Sequence, residues 1–135
     1  MLAQLFQEED RAREMAARLM QLAQTSRAAA AAERDSLLEF LRGPMERHMA
    51  YEETSLFPHL EQHELLPEVQ VATKHHAAIR KAAEQLAAMP RDADVAPLVF
   101  DVARLLLHHT NFEGDYIYPE LSHQEWRALM KATTE

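Results

Sequence analysis

The segment His48-Met-Ala-Tyr-Glu52 recurs as His109-Thr-Asn-Phe-Glu113, and in each copy a proline follows the Glu by six residues, at Pro58 and Pro119. The flanks repeat at the same offset of 61: Met45 with Leu106, Leu56 with Ile117, Phe57 with Tyr118, Leu60 with Leu121. Residues four apart share a helix face, so each copy sets an imidazole beside a carboxylate within an apolar stripe. A carboxylate in a core is costly unless it is paired or binds a metal. Two such stripes restrict the chain to folds in which helices face one another around a polar centre.

The remaining residues favour helix almost throughout: there are two Gly in 135 residues, and Ala, Leu, Glu, Gln and Met abound. This length, 47 % apolar, suits one domain over residues 1–135 with one core. The absence of cysteine excludes disulfides, iron–sulfur clusters and thiolate zinc sites. A formal net charge of -8 argues against a nucleic-acid partner. No apolar run approaches the roughly 18 residues of a membrane span. The N-terminus turns acidic without a basic region ahead of an apolar one, so it does not read as an export signal. A soluble cytoplasmic protein is the expectation.

Periodicity places the first helix over 2–24, with Leu2, Leu5, Ala12, Ala16, Leu19 and Ala23 on one stripe that Glu9 interrupts. The run Ala28 to Ala32 reads either as a loop or as the next helix's first turns. The second helix covers 31–57, its inner face carrying Leu37, Leu41, Met45, His48, Glu52 and Leu56. Pro44 predicts a kink ahead of His48, and Pro58 an end or a bend. Pro67 opens a third helix over 67–88. Here a second repeat appears, at an offset of 67: Glu9 with His76, Ala12 with Ile79, Ala16 with Ala83, Leu19 with Leu86. Residues 89–94 form a turn. A fourth helix over 95–118 turns Leu98, Val102, Leu105, Leu106, His109, Phe112, Glu113 and Tyr116 inward. Ser122-His-Gln-Glu125 is a capping box that opens a short fifth helix to about residue 132. The expected fold is all-α: an up-down-up-down four-helix bundle of two hairpins related by a pseudo-two-fold, with a short C-terminal fifth helix.

With the two His-x-x-x-Glu motifs on facing antiparallel helices, His48 and His109 supply nitrogens from opposite sides. Glu52 and Glu113 lie one turn away, where a carboxylate's two oxygens can bridge two ions. The matching positions on the first and third helices add Glu9 and His76. The expected metal ligands are therefore Glu9, His48, Glu52, His76, His109 and Glu113, with Asp10 the nearest rival to Glu9. Mixed nitrogen and oxygen donors suit iron, manganese or zinc. Two carboxylate-bridged ions in a helical bundle favour iron or manganese. Two iron ions are the reading adopted, because a ferrous pair can pass two electrons to dioxygen or peroxide. Glu53 is placed to accept from a ligand imidazole. His75 and His108 stand beside ligands, as supporting or surface residues. Met45, Met49 and Phe112 either line a pocket near the ions or only pack the core. Tyr116 either faces the cavity or packs with its hydroxyl at the rim. His59, His63 and His123 are expected at the surface.

These residues resemble the hemerythrin-like family, also called the HHE cation-binding domain. The shared pattern is a ligand on the first helix, His48 with Glu52, His76, and His109 with Glu113. The text Glu52-Glu53 followed by Leu56-Phe57-Pro58 is similar as well. The resemblance spans about residues 3–121 and implies a bundle around an oxo- or hydroxo-bridged diiron centre. Family roles include oxygen binding, oxygen or iron sensing, peroxide or nitric-oxide chemistry and oxidative catalysis. Two positions depart from the pattern: Glu9 stands where the family usually has His, and Ala72 stands four residues before His76, where oxygen carriers have a second His. The donor set is therefore richer in oxygen and leaves a coordination gap at Ala72. That favours a small oxidative enzyme acting on dioxygen or peroxide, with no acid–base residue distinct from the ligands. The alternative is non-enzymatic binding or sensing of oxygen, nitric oxide or iron.

Overall fold

The computed structural model describes residues 2–62 and 65–120. The expected fifth helix, His63 and His123 lie outside the described residues. The first helix, α1 (Leu2–Thr25), is continuous. Its buried stripe is Leu5, Glu9, Ala12, Ala16 and Leu19. Ser26 then caps α2 (Arg27–Arg42) by accepting from the Ala29 N–H at 3.1 Å. This helix starts ahead of the expected residue 31 because the alanine run, a strong helix former, joins it once Ser26 satisfies the first turn.

The helix breaks at Gly43, and α3 (Pro44–Tyr51) resumes with Pro44 in its first turn, as the kink expectation required. A side chain at Gly43 would bring a Cβ to 3.0 Å from the Glu39 carbonyl, a contact tight enough to favour glycine at the break. A π-helical turn follows at Glu52–Leu56, then α4 (Phe57–Glu61). The helix therefore runs past Pro58. Proline cannot donate to the carbonyl four residues back and clashes with it in a regular α-helix. The wider turn, closed by Phe57 N–H on the Glu52 carbonyl, relieves that conflict. The chain continues with α5 (Leu66–Ala88), α6 (Ala96–Tyr116) and a 3₁₀ turn at Tyr118–Glu120.

Cross-helix contacts fix the directions. Arg18 pairs with Glu33 at 3.0 Å, Arg80 with Glu46 at 2.8 Å, and Arg13 with Asn111 at 3.2 Å. His75 meets His109 at 3.1 Å. A second contact in the first three of these pairs sets the sense: Glu9 meets His48, His76 meets Glu53, and Phe6 lies against Tyr118. An earlier residue of one helix thus meets a later residue of the other, so neighbours are antiparallel. The composite helix α2–α4 and helix α6 are both antiparallel to α1 and to α5. They therefore run parallel to each other, which corrects the antiparallel placement expected for the two His-x-x-x-Glu motifs. A pseudo-two-fold along the bundle axis requires this arrangement.

The apolar core has two parts. The larger includes Leu19, Leu37, Leu41, Met45, Met49, Ile79, Leu86, Val102 and Leu106. The smaller holds Leu56, Phe57, Leu60, Val69, Ala72, Ile117 and Tyr118. The buried His and Glu residues form a polar layer between them. Leu98 and Leu105 are half-buried against the larger part. Among the described residues no helix is long and apolar enough to cross a membrane.

Arg34 is buried and donates to the carbonyls of Leu86, Ala87, Met89 and Pro90. The last carbonyls of a helix have no partner within it, and a cation there also complements the helix dipole. Replacing Arg34 with Met should lower unfolding stability by about 2 kcal/mol, read from urea denaturation. A loss below about 0.5 kcal/mol would mean that the cap contributes nothing beyond packing.

Candidate metal centre

Glu9, His48, Glu52, His76, His109 and Glu113 are all buried, at no more than 4 % exposure. They come from all four bundle helices and form two groups. One is Glu52, His76, His109 and Glu113; the other is Glu9, His48, Glu52 and Glu113. Within each, one ligand-capable atom per residue lies within 4.8 Å of every other. His48 Nε2 is 3.2 Å from Glu9 Oε1 and 3.4 Å from Glu52 Oε1. His76 Nε2 is 3.2 Å from that same Glu52 oxygen, and His109 Nε2 is 2.8 Å from Glu113 Oε1. Asp10 is exposed and pairs with Arg13 at 2.8 Å, so Glu9 is the acidic residue that the first helix contributes.

The donor atoms fit cations better than they fit one another. Glu9 Oε2, Glu52 Oε1, His76 Nε2, His109 Nε2 and both Glu113 oxygens are buried without a well-directed hydrogen bond among the described residues. Buried polar atoms are normally satisfied, and these six converge on one layer. The set is all nitrogen and oxygen, which suits first-row divalent metals.

Each inner imidazole turns Nε2 to this layer and anchors Nδ1 outside it. His48 Nδ1 meets Glu8 Oε1 at 3.0 Å, and His76 Nδ1 meets Glu53 Oε2 at 2.7 Å. His109 Nδ1 meets His75 Nδ1 at 3.1 Å. A carboxylate acceptor holds the proton on Nδ1 and leaves Nε2 to bind. Glu53 and His75 thus each meet the outer nitrogen of an inner imidazole. The π-helical turn begins at Glu52 and lets two consecutive residues serve the site. Glu52 enters the layer, and Glu53 reaches His76 from outside. His108 is exposed, with its ring 5.1 Å from that of His75. Phe112 is half-buried, edge-on to His75 at 5.3 Å. Met45 and Met49 lie in the larger apolar cluster. His59 is half-buried rather than a surface residue.

Tyr116 does not face the cavity: it is 55 % exposed and stacks beside Phe112 on the outside. Helix α6 ends at Tyr116, and the following turn brings Tyr118 inward instead. The buried Tyr118 hydroxyl donates to Glu52 Oε2 at 2.8 Å. Sequence reasoning missed Tyr118 and Glu8. The match of Tyr118 to the core residue Phe57 was the available signal for the first. Glu8 reads as one more charge in an acidic run, and nothing local marks it.

Burial shapes the protonation of the metal-free site. It drives the Glu113 carboxyl well above the usual range, helped by the charges of Glu52 and Glu9. Burial acts on Glu52 in the same sense, but polar contact with Glu113, His48 and His76 prevails and holds it well below. Burial disfavours the His48 imidazolium, yet contacts with Glu52 and Glu9 outweigh it and push its pKa up to about 11. For His109 burial prevails and pushes the pKa down to about 3.

An all-helical bundle with three imidazoles and three carboxylates in a buried layer defines a class of helical cation-binding proteins. The sequence profile of the hemerythrin HHE cation-binding domain matches residues 1–130. The chain belongs to that family. No curated protein and no solved structure gives a match.

The two histidines give the metal-free protein opposite pH limbs. The stabilisation from His48 is complete below its ordinary value of 6.5 and is lost as pH rises through about 11. That from neutral His109 is present above 6.5 and is lost as pH falls through about 3. Urea midpoints of the metal-free protein should therefore fall on both sides of a maximum, and His48→Gln should flatten the alkaline limb. An alkaline limb unchanged by that substitution would contradict the His48 assignment.

Proposed function

We propose that the six side chains hold two divalent metal ions, iron by preference, and that the loaded protein reacts with dioxygen or peroxide as a small oxidative enzyme. The observation that carries this reading is the sharing of Glu52 and Glu113 by the two groups. A carboxylate can join two cations, whereas an imidazole ordinarily binds one. His76 and His109 therefore belong to one metal position, and His48 with Glu9 to the other. When bound, a ferrous pair supplies the two electrons that an oxygen species takes up. Zinc would fill the same donors without redox chemistry.

The chain's own residues set the conditions. Tyr118 occupies Glu52 Oε2, which leaves Oε1 toward His48 and His76. Ala72, one turn before His76, supplies a methyl group where a ligand could stand. It packs with Leu56, Phe57, Leu60, Val69 and Ile117, surroundings that admit dioxygen and repel charge. A cavity of about 210 Å³ lined by Gln4, Leu5, Glu8, Arg47, His48 and Tyr51 approaches the layer from α1 and α3. Glu8 lines that cavity and contacts His48 Nδ1, so it can carry a proton between the site and water. Glu52, His76, His109 and Glu113 are fully shielded, which keeps bulky substrates from the metals. The same shielding favours a second reading, reversible binding or sensing of a diatomic ligand. Loading with ferrous iron suits a reducing cytoplasm.

Anaerobic iron loading followed by dioxygen or peroxide tests the proposal. Two irons per chain with a magnetically coupled Mössbauer signal are expected; peroxide should be consumed over repeated additions, and oxygen likewise when ascorbate is supplied as the reductant. Glu113→Gln should abolish the coupling, whereas His59→Gln should leave it intact. One iron per chain, or an uncoupled pair in the unaltered protein, overturns the two-metal reading. A spectrum that reverses on removing oxygen, with no consumption, selects the binding reading.

A further inference from the structure

Arg80 lies one turn beyond His76 on α5, outside both groups of candidate ligands. Its guanidinium grips two carboxylates. Nε and Nη2 donate to the two oxygens of Glu46, each at 2.8 Å. Nη1 and Nη2 donate to Glu53 Oε2 and Oε1 at 2.8 and 3.0 Å. Glu53 Oε2 is also the oxygen that meets His76 Nδ1 at 2.7 Å. Glu46 and Glu53 belong to α3 and the π-helical turn, so Arg80 fastens that part of the second bundle helix to α5 beside the imidazole. A planar guanidinium can serve two carboxylates pairwise; an ammonium group cannot.

The other two imidazoles have weaker supports. Glu8 behind His48 is braced by Gln4 at 3.4 Å and faces a cavity. The partner of His109 is His75, a half-buried ring without a fixed charge. The two metal positions therefore differ in preorganisation as well as in donors. One has two nitrogens, one of them from the clamped His76. The other has a single nitrogen, from His48.

We infer that Arg80 is a positioning residue that acts through Glu53 to fix the His76 ring, making the His76–His109 position the tighter of the two. This rests on the two-metal reading above. Supporting residues of this kind typically change metal affinity about 10- to 100-fold.

The test is a cobalt(II) titration of the full chain against a competing chelator, with ¹⁵N-histidine NMR of the metal-free protein alongside. The unaltered protein should bind two ions in two steps. Arg80→Met should weaken the tighter step by about tenfold or more and leave the weaker one within about twofold. It should also speed exchange of the His76 Nδ1 proton before any metal is added. Arg80→Lys should restore little of either property. In a Glu53→Gln background, Arg80→Met should have no further effect on the tighter step. Arg18→Met, which removes the distant pair with Glu33, controls for a lost surface charge. If Arg80→Met does not fold, Arg80→Lys and Glu53→Gln each carry the comparison. Equal weakening of both steps, full rescue by Lys, or an additive effect in the Glu53→Gln background overturns the inference. Two-step binding in the unaltered protein with no change in Arg80→Met overturns it as well and leaves the two-metal reading standing. Failure of the unaltered protein to bind any ion removes that reading itself.

Discussion

The interaction on which this bundle depends is the mutual contact of three carboxylates and three imidazoles buried in one layer. Each would be strongly unfavourable there alone, because burial removes the water that stabilises charge. Together they share the problem. In the metal-free chain the proton on His48 offsets one carboxylate charge, and the proton on Glu113 removes another. Metal ions would take over that role and release those protons, so metal binding and bundle stability are coupled.

Much of the backbone serves that layer. The break at Gly43 and the π-helical turn at Glu52 re-aim the second bundle helix twice within a short span. The wide turn accommodates Pro58, and from it Glu52 and Glu53 reach the two nitrogens of His76. The two apolar clusters close the layer from above and below, so the donors meet one another rather than solvent.

The internal repeat makes the halves similar, but their surroundings make them unequal. After Glu52 the helix widens; after Glu113 it remains α-helical to Tyr116. Glu53 supports His76, while its counterpart in the repeat is the exposed Gly114, which supports nothing. Tyr118, from the second copy, hydrogen-bonds Glu52 of the first. The repeat thus supplies two His–Glu pairs, and divergence around them distinguishes the two groups of candidate ligands.

The four long helices, the break near Pro44 and the six inward residues were legible in the sequence. Helical spacing decides which side chains share a face, and an apolar stripe interrupted by His and Glu shows where burial and charge conflict. The start of α2 was less legible, because an alanine run fits a loop or a helix until Ser26 is seen to cap it. Tyr116 and Tyr118 could be told apart only once the end of α6 was known, since the turn there decides which ring points inward. Glu8, the Arg80 clamp and the parallel course of the two His-x-x-x-Glu helices required the tertiary structure. The physical reason is that periodicity is local, whereas a partner reached across the bundle depends on how whole helices are packed and turned against one another.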